Sequence, residues 1–363
     1  MRPTWAEIDI NSLKLNFLHV KELIGNETGI MSIVKADAYG HGAIAVSKAL
    51  FESCGSQMLG VATVDEALEL RESGIKAPIV VLAGIYPNEA ETVVKSGLTP
   101  TIYSLQIAST LNDCASKLGV RVGYHLKIDT GMTRLGIGIN EIYDFMNELV
   151  CLKSLNMEGL FSHFANADME LVDYTLKQMA IFKDIHSIIN QAGVSPKYLH
   201  IANSSAIQRF PFSHMNLVRP GIMLYGSGIN QKIKLSPVMR LKTRVIQIKH
   251  VPPGIPVSYG GTFITKRPTL IATIPIGYAD GYMRILSDRA KVSIRGYTAP
   301  VVGKVCMDLT MIDVTEVPGI KEDDEVILFG DELVLVEDVA GWAGTISYEI
   351  LSITGKRVPR VYI

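Results

Sequence analysis

Short apolar runs alternate with longer amphipathic ones through the first two-thirds of the chain. The runs Met31–Val34, Met58–Ala62, Ile79–Ala83, Pro100–Tyr103, Gly123–Ile128, Glu158–His163, Tyr198–Ala202 and Leu217–Tyr225 read as strands. Apolar residues recur at helical spacing between most of them, in Gly42–Phe51, Val64–Glu72, Asn88–Val94, Leu105–Leu118, Glu141–Val150 and Leu171–Gln191. Strands that are apolar almost throughout and alternate with helices imply a parallel sheet covered on its outer face. Eight such units in roughly 225 residues predict an α/β fold, a (β/α)8 barrel. A doubly wound open sheet is the competing architecture, but no GxGxxG turn follows the first strand.

The pattern changes near Ser236. Val238–Val251, Thr269–Ile276, Ala290–Ile294, Pro300–Val305, Thr310–Val314 and Glu325–Phe329 are strand-like, with short turns such as Pro252-Pro253-Gly254. Leu335–Ala340 and Ser347–Leu351 are the main helical stretches. Two domains are expected: the barrel over 1–235 and a C-terminal mostly-β domain over 236–363, with about the first ten residues pairing with the second.

Hydrophobic residues make up 48% of the 363 and charged ones 20%, the balance of a large-cored globular protein. A net charge of -1 gives no electrostatic reason to expect nucleic acid or an acidic membrane as partner. The opening MRPTWAEIDI lacks a secretory pattern, and runs such as Ile79–Ala83 are too short to span a bilayer, so a soluble cytoplasmic protein is expected. Cys54, Cys114, Cys151 and Cys306 are far apart, without metal-ligand spacing; reduced thiols and no metal are expected.

Chemistry concentrates where a parallel barrel places it, at the carboxyl ends of strands. Lys35 ends the first apolar run, and Lys127 with Asp129, His163, Asn203 with Ser204, and Arg219 follow later ones. An amine at the mouth of a buried strand loses hydration, which lowers its pKa and suits it to Schiff-base chemistry.

Nine motifs, KADAYGHG (35–42), HLKIDTGMTRLG (125–136), SHFANAD (162–168), ANSSA (202–206), RPGIMLYG (219–226), VSYGGTF (257–263), IPIGYADGY (274–282), CMD (306–308) and SYE (347–349), occur in the order found in the alanine racemase family. The chain resembles that family over nearly its whole length. The resemblance implies a homodimer dependent on pyridoxal 5′-phosphate (PLP), whose sites are completed by the partner's C-terminal domain. It implies Lys35 as the lysine that holds PLP. Tyr39, Ser204, Tyr348 and the N–H groups of Gly221 and Ile222 would bind its phosphate, and Arg219 would face its pyridine nitrogen. His163 would pack on the ring or hydrogen-bond the second catalytic residue, and Asn203 would orient this shell. Arg134 would meet the substrate carboxylate, Lys127 is a position carbamylated in some members, and Met307 and Tyr278 would line the mouth.

Racemisation needs proton carriers on opposite faces of Cα. Lys35 is one, and Tyr259 matches the other. A phenol, with a pKa near 10, would need cations such as Arg134 nearby to act as a base. Two positions depart from the family pattern: Asp37 stands where many members have Asn, and Thr133 where a glycine or small residue is common. The implied activity is interconversion of L- and D-alanine, feeding D-alanine to peptidoglycan. A serine or broad-specificity racemase, and a non-enzymatic PLP carrier, remain as alternatives.

Overall fold

The computed structural model describes residues 2–228 and 234–363. Strand β1 (Thr4–Ile8) leads into a helix over Ile10–Ile24. Asp9 caps that helix, its carboxylate accepting from Ser12 N–H at 2.9 Å. Leu13, Phe17, Val20 and Ile24 recur at helical spacing and are buried.

All eight expected barrel strands form: β2 (Gly29–Ile33), β3 (Met58–Val61), β4 (Ile79–Val81), β5 (Thr99–Ile102), β6 (Val122–Lys127), β7 (Leu155–Phe161), β8 (Tyr198–His200) and β9 (Leu217–Val218). They lie parallel in the order β8-β7-β6-β5-β4-β3-β2-β9. Asn216 joins the two ends of that order. Its amide oxygen accepts from Leu199 N–H and its nitrogen donates to Lys197 O, both at 2.7 Å. Above it, Arg219 N–H donates to Ala202 O at 3.0 Å. The last expected strand is much shorter than its apolar run suggests. Pro220 and Gly221 turn the chain after Arg219, and Ile222–Tyr225 coils into a single helical turn.

The remainder is mostly β, with β10 (Met239–Arg244), β11 (Gln247–Val251), β12 (Pro256–Val257), β13 (Phe263–Ile264), β14 (Thr269–Ile274), β15 (Lys291–Ile294), β16 (Tyr297–Pro300), β17 (Thr310–Asp313), β18 (Glu325–Phe329) and β19 (Arg360–Tyr362). One sheet runs β16-β15-β18-β10-β1-β19, a second β11-β14-β17, and β12 pairs with β13. Thus β1 sits between β10, antiparallel, and β19, parallel. The apolar stretch Val238–Val251 divides between β10 and β11, which belong to different sheets. Pro300–Val305 is not a strand; the pairing residues are Tyr297–Pro300, and Val301 keeps only a bridge to Ile312. Among the described residues no helix is long and apolar enough to cross a membrane.

Candidate active site

Every strand-end residue singled out from the sequence lies at one end of the barrel, because all eight strands run the same way. Lys127 closes β6, Lys35 and His163 stand two residues beyond β2 and β7, and Arg219 follows β9 directly. Arg219 is buried and held by five hydrogen bonds. Nη1 reaches His200 Nδ1 at 2.7 Å and His200 O at 2.9 Å. Nη2 reaches Ser162 O at 2.6 Å, His163 Nδ1 at 3.2 Å and Ile201 O at 3.2 Å. Burial and then Arg134 draw its pKa down to about 9, still a cation at neutral pH.

Lys127 and Arg219 share one aromatic face. Lys127 Nζ is 4.3 Å and the Arg219 guanidinium carbon 5.3 Å from the Phe161 ring centre. Burial, then Arg219 and Arg134, hold the Lys127 amine well below the ordinary lysine range. Lys35 keeps exposed surface, yet desolvation and then Arg134 lower its pKa, with Glu66 opposing. His163 is pushed well down by burial and the same cations, so it is a neutral imidazole. Four basic side chains therefore crowd one rim. The carboxylates that act on them are Glu66 and Asp129, and Asp129 Oδ1 already accepts from Gly131 N–H and Thr133 N–H.

The backbone after Lys35 is unusual. Ala36, Asp37, Ala38 and Tyr39 all have φ between 52° and 55°, making one left-handed helical turn. For L-residues this costs roughly 1–2 kcal/mol each. Local bonds hold it: Ala38 N–H to Val34 O at 2.9 Å, Ala43 N–H to Asp37 Oδ1 at 2.7 Å, and Ala36 N–H to Glu66 Oε1 at 2.7 Å. The Asp37 acceptor does what the family's Asn would also do. His41 Nδ1 lies 3.0 Å from Ala38 O and 2.9 Å from Tyr39 O, and Arg360 Nε donates to Gly40 O at 2.9 Å.

This turn brings Tyr39 toward Gly221, Ser204 and Tyr348. A Cβ on Gly221 would stand 2.5 Å from Tyr39 Oη, so only glycine leaves the space. Gly221 N–H donates to Ser204 Oγ at 2.9 Å. Asn203 caps the helix Ser204–Arg209 through Ala206 N–H at 3.0 Å, which fixes Ser204 at its start, and Gly221 leads directly into the turn that Ile222 opens. The Tyr39 and Tyr348 rings are 6.0 Å apart. Burial raises both phenols, Tyr348 to about 12, so both keep their protons at neutral pH and act as donors.

Tyr259, Tyr278 and Met307 form a second cluster, on the β-rich part of the chain. They are 71%, 41% and 53% exposed. Tyr278 N–H donates to Cys306 O and Ala279 N–H to Met307 O, both at 3.0 Å, while Ser258 Oγ donates to Lys304 O at 2.7 Å. Two backbone bonds and the Ser258 hydroxyl thus tie the three segments together. Among the described residues nothing hydrogen-bonds the Tyr259 hydroxyl, and no hydrogen bond joins Tyr259 to Lys35 or Arg134.

Residues 8–228 match the alanine racemase N-terminal domain family, and residues 238–362 match the alanine racemase C-terminal domain family. The chain belongs to the alanine racemase family. It is 45% identical to the alanine racemase of Halothermothrix orenii, over 99% of this chain and 97% of that protein. The alanine racemase of Clostridium difficile 630, in complex with cycloserine, superposes with a TM-score of 0.93 at 39% identity, over 100% of this chain and 96% of that one. The Bartonella henselae alanine racemase with covalently bound pyridoxal phosphate gives 0.91 at 31% identity, covering all of both chains.

Within this alanine racemase fold, sequence reasoning missed Glu66 and the buried imidazoles behind Arg219. Glu66 was findable, since Thr63-Val-Asp-Glu66 is a capping-box pattern before a helix, and both of its reciprocal bonds form. Its second role, clamping Ala36, needs β2 and β3 to be neighbours. His200 and His125 sit inside apolar runs and give no local sign that they meet.

Proposed function

We propose that the chain works as a homodimer that interconverts L- and D-alanine, with PLP held on Lys35. The observation that carries this reading is the crowding of Lys35, Lys127, Arg134 and Arg219 at one rim with few carboxylates to balance them. Such a site fits a dianionic phosphate and an amino-acid carboxylate, and the cradle of protonated phenols, Ser204 and a bare Gly221 fits the phosphate. When bound, PLP supplies an electron sink for the pair left as the substrate Cα loses its proton.

The chain's own residues do the rest. Tyr39, Tyr348, the Ser204 hydroxyl and the Ile222 N–H would hold the phosphate, joined by the Gly221 N–H if it is shared between the phosphate and Ser204 Oγ. Ser204 accepts from Gly221 and so keeps its own proton to donate. Arg219, a cation at neutral pH with donors and no acceptor, would lie toward the pyridine nitrogen and leave it unprotonated, which would limit charge withdrawal from Cα and favour proton return there. His163, neutral and bonded to Arg219, would pack beside the ring, and Asn203 keeps Ser204 in line. Arg134 binds the substrate carboxylate.

Burial and the neighbouring arginines hold the Lys127 amine well below the ordinary lysine range, which favours the free amine that adds carbon dioxide with loss of a proton, and the resulting anion would offset Arg134 and Arg219. Lys35 Nζ moves the Cα proton on one face. The partner subunit's Tyr259 serves the opposite face, and Tyr278 and Met307 line the mouth. The exposure of all three on a single chain supports completion of each site by a second copy. D-Alanine made this way, in the cytoplasm, feeds peptidoglycan.

Purified protein tests the reading. An absorbance band abolished by borohydride and formation of D-alanine from L-alanine are expected. Faster turnover of serine than alanine would overturn the substrate, and the absence of a borohydride-sensitive band would overturn the cofactor.

A further inference from the structure

Arginine has five N–H donors and no acceptor. Where Arg219 Nη1 meets His200 Nδ1 at 2.7 Å, the imidazole must accept, so the His200 proton is on Nε2. His200 Nε2 lies 2.8 Å from His125 Nδ1. The direction is again forced: His125 accepts through Nδ1, and its own proton is on Nε2. Both rings are fully buried. His125 Nε2 then points its proton at no acceptor among the described residues.

Next to it, Thr101 on β5 pairs in register with His125 on β6. Residues in register on adjacent parallel strands face the same side, about 4.8 Å apart. The Thr101 hydroxyl is also buried and without a partner. Two unpaired polar atoms on neighbouring positions of one face, both inside the barrel wall, are costly separately and complementary together. Gly159, in register with His125 on the other side, completes the arrangement. A Cβ there would lie 2.6 Å from the His125 ring, so the imidazole occupies space that only glycine leaves.

We infer that Arg219, His200, His125 and Thr101 form a one-directional hydrogen-bond chain, ending on the Thr101 hydroxyl directly or through one buried water. His125 and Thr101 are positioning residues within it. They act through His200, keeping its lone pair turned to Arg219. Without an acceptor at 125, the His200 Nε2 proton is buried and unpaired, and only Arg219 still favours that tautomer. With the proton on Nδ1, an N–H would face the guanidinium, two donors against each other. The chain matters because no carboxylate pairs with Arg219 among the described residues. Its orientation depends on neutral acceptors alone.

The kinetic part of the test rests on the proposed function, whereas the tautomer part does not. Long-range 1H–15N correlation on histidine-labelled protein should find His200 and His125 both protonated on Nε2. A proton on His200 Nδ1 would overturn the inference whether or not the protein racemises anything. His125→Gln keeps an acceptor and His125→Leu removes it. His125→Leu is expected to mix the His200 tautomers, shift the cofactor absorption band and lower kcat about tenfold with KM little changed. His125→Gln should restore the His200 tautomer and most of kcat. Equal behaviour of the two variants, both normal or both impaired, would refute a role through His200. Thr101→Val should lower the unfolding midpoint relative to Thr101→Ser, and equal midpoints would remove Thr101 from the chain.

Discussion

Arg219 at the barrel rim is 5% exposed and tied by five hydrogen bonds, whereas Tyr259 on the β-rich part is 71% exposed and its hydroxyl has no hydrogen bond among the described residues. Both belong to the chemistry proposed for one site, yet they are built in opposite ways. At the rim Arg219 and Lys127 are already buried, the basic groups are crowded and the imidazoles are neutral. The tyrosine cluster is fixed through its backbone and left open at its side chains. This contrast teaches where specificity and assembly are decided. The rim gathers its polar groups by itself, whereas in the proposed dimer the second proton carrier comes from another surface.

The sharpest break in that comparison comes from the two proton carriers. Lys35→Ala should lower racemisation at least about 10³-fold and abolish the borohydride-sensitive band. Tyr259→Phe should cost about 10²- to 10³-fold and leave the band intact, with the same loss for L- and D-alanine because the two directions share one equilibrium constant. Mixing the two inactive variants then separates one chain from two. A site shared across a two-fold dimer regains about a quarter of wild-type activity on subunit exchange, since half the dimers are mixed and each carries one intact site. No recovery after demonstrated exchange would put both carriers in one chain.

How legible these two regions were differs for the same reason. The strands of the barrel read directly from apolar runs, because a parallel strand buried on both faces carries its signal in every residue. Lys35, Lys127, His163 and Arg219 were then locatable by the rule that strand ends carry chemistry. What could not be read was three-dimensional adjacency. The left-handed turn after Lys35 has alanines where local propensity disfavours the conformation, and besides its own local bonds, contacts from Glu66, His41 and Arg360 hold it. Val238–Val251 looked like one strand because apolar content does not report a change of sheet. Tyr259 was found by its motif alone. Nothing in its spacing told that its own chain leaves it exposed.

Effects on stability should be smaller and confined to the rim. Arg219→Ala leaves two imidazoles and three carbonyls without their donor, and should lower unfolding free energy by at least about 2 kcal/mol in urea titration. Tyr259→Phe, at an exposed position, should stay within about 0.5 kcal/mol of wild type. Acid should act on the same buried histidines. Burial lowers His41 to about 4 and His125 to about 3, and holds His163 and His200 well below the ordinary range. Unfolded histidines titrate near 6.5, so below that pH the unfolded chain takes up protons that the folded one refuses. Stability present above about pH 6.5 is therefore lost as pH falls toward the folded values, at about 1.4 kcal/mol per pH unit for each histidine. A stability that stays flat from pH 8 to pH 5 would break this account of the rim.

The smallest effects concern strain, which lies beside both halves of the site. Thr133, next to Arg134, has φ 56°, a strained conformation for a β-branched residue. Ser258, next to Tyr259, has φ 64° and ψ −172°, a region that is essentially glycine's alone. Each costs about 1–3 kcal/mol, and glycine would relieve it while giving back roughly 0.5–1 kcal/mol in backbone entropy. The two positions should nevertheless respond differently. Thr133 is exposed and only its N–H is bonded, to Asp129 at 3.1 Å, so Thr133→Gly loses nothing else and should stabilise by about 1 kcal/mol. Ser258→Gly also removes the bond to Lys304 O, worth about 1 kcal/mol, and its net change should be near zero. Its effect should appear instead in kcat, because the segment that aims Tyr259 is then free to turn. Equal stabilisation by both substitutions would mean that the Ser258 hydroxyl does not hold that segment, and the tyrosine cluster would have to be fixed by the Tyr278 and Cys306 backbone bonds alone.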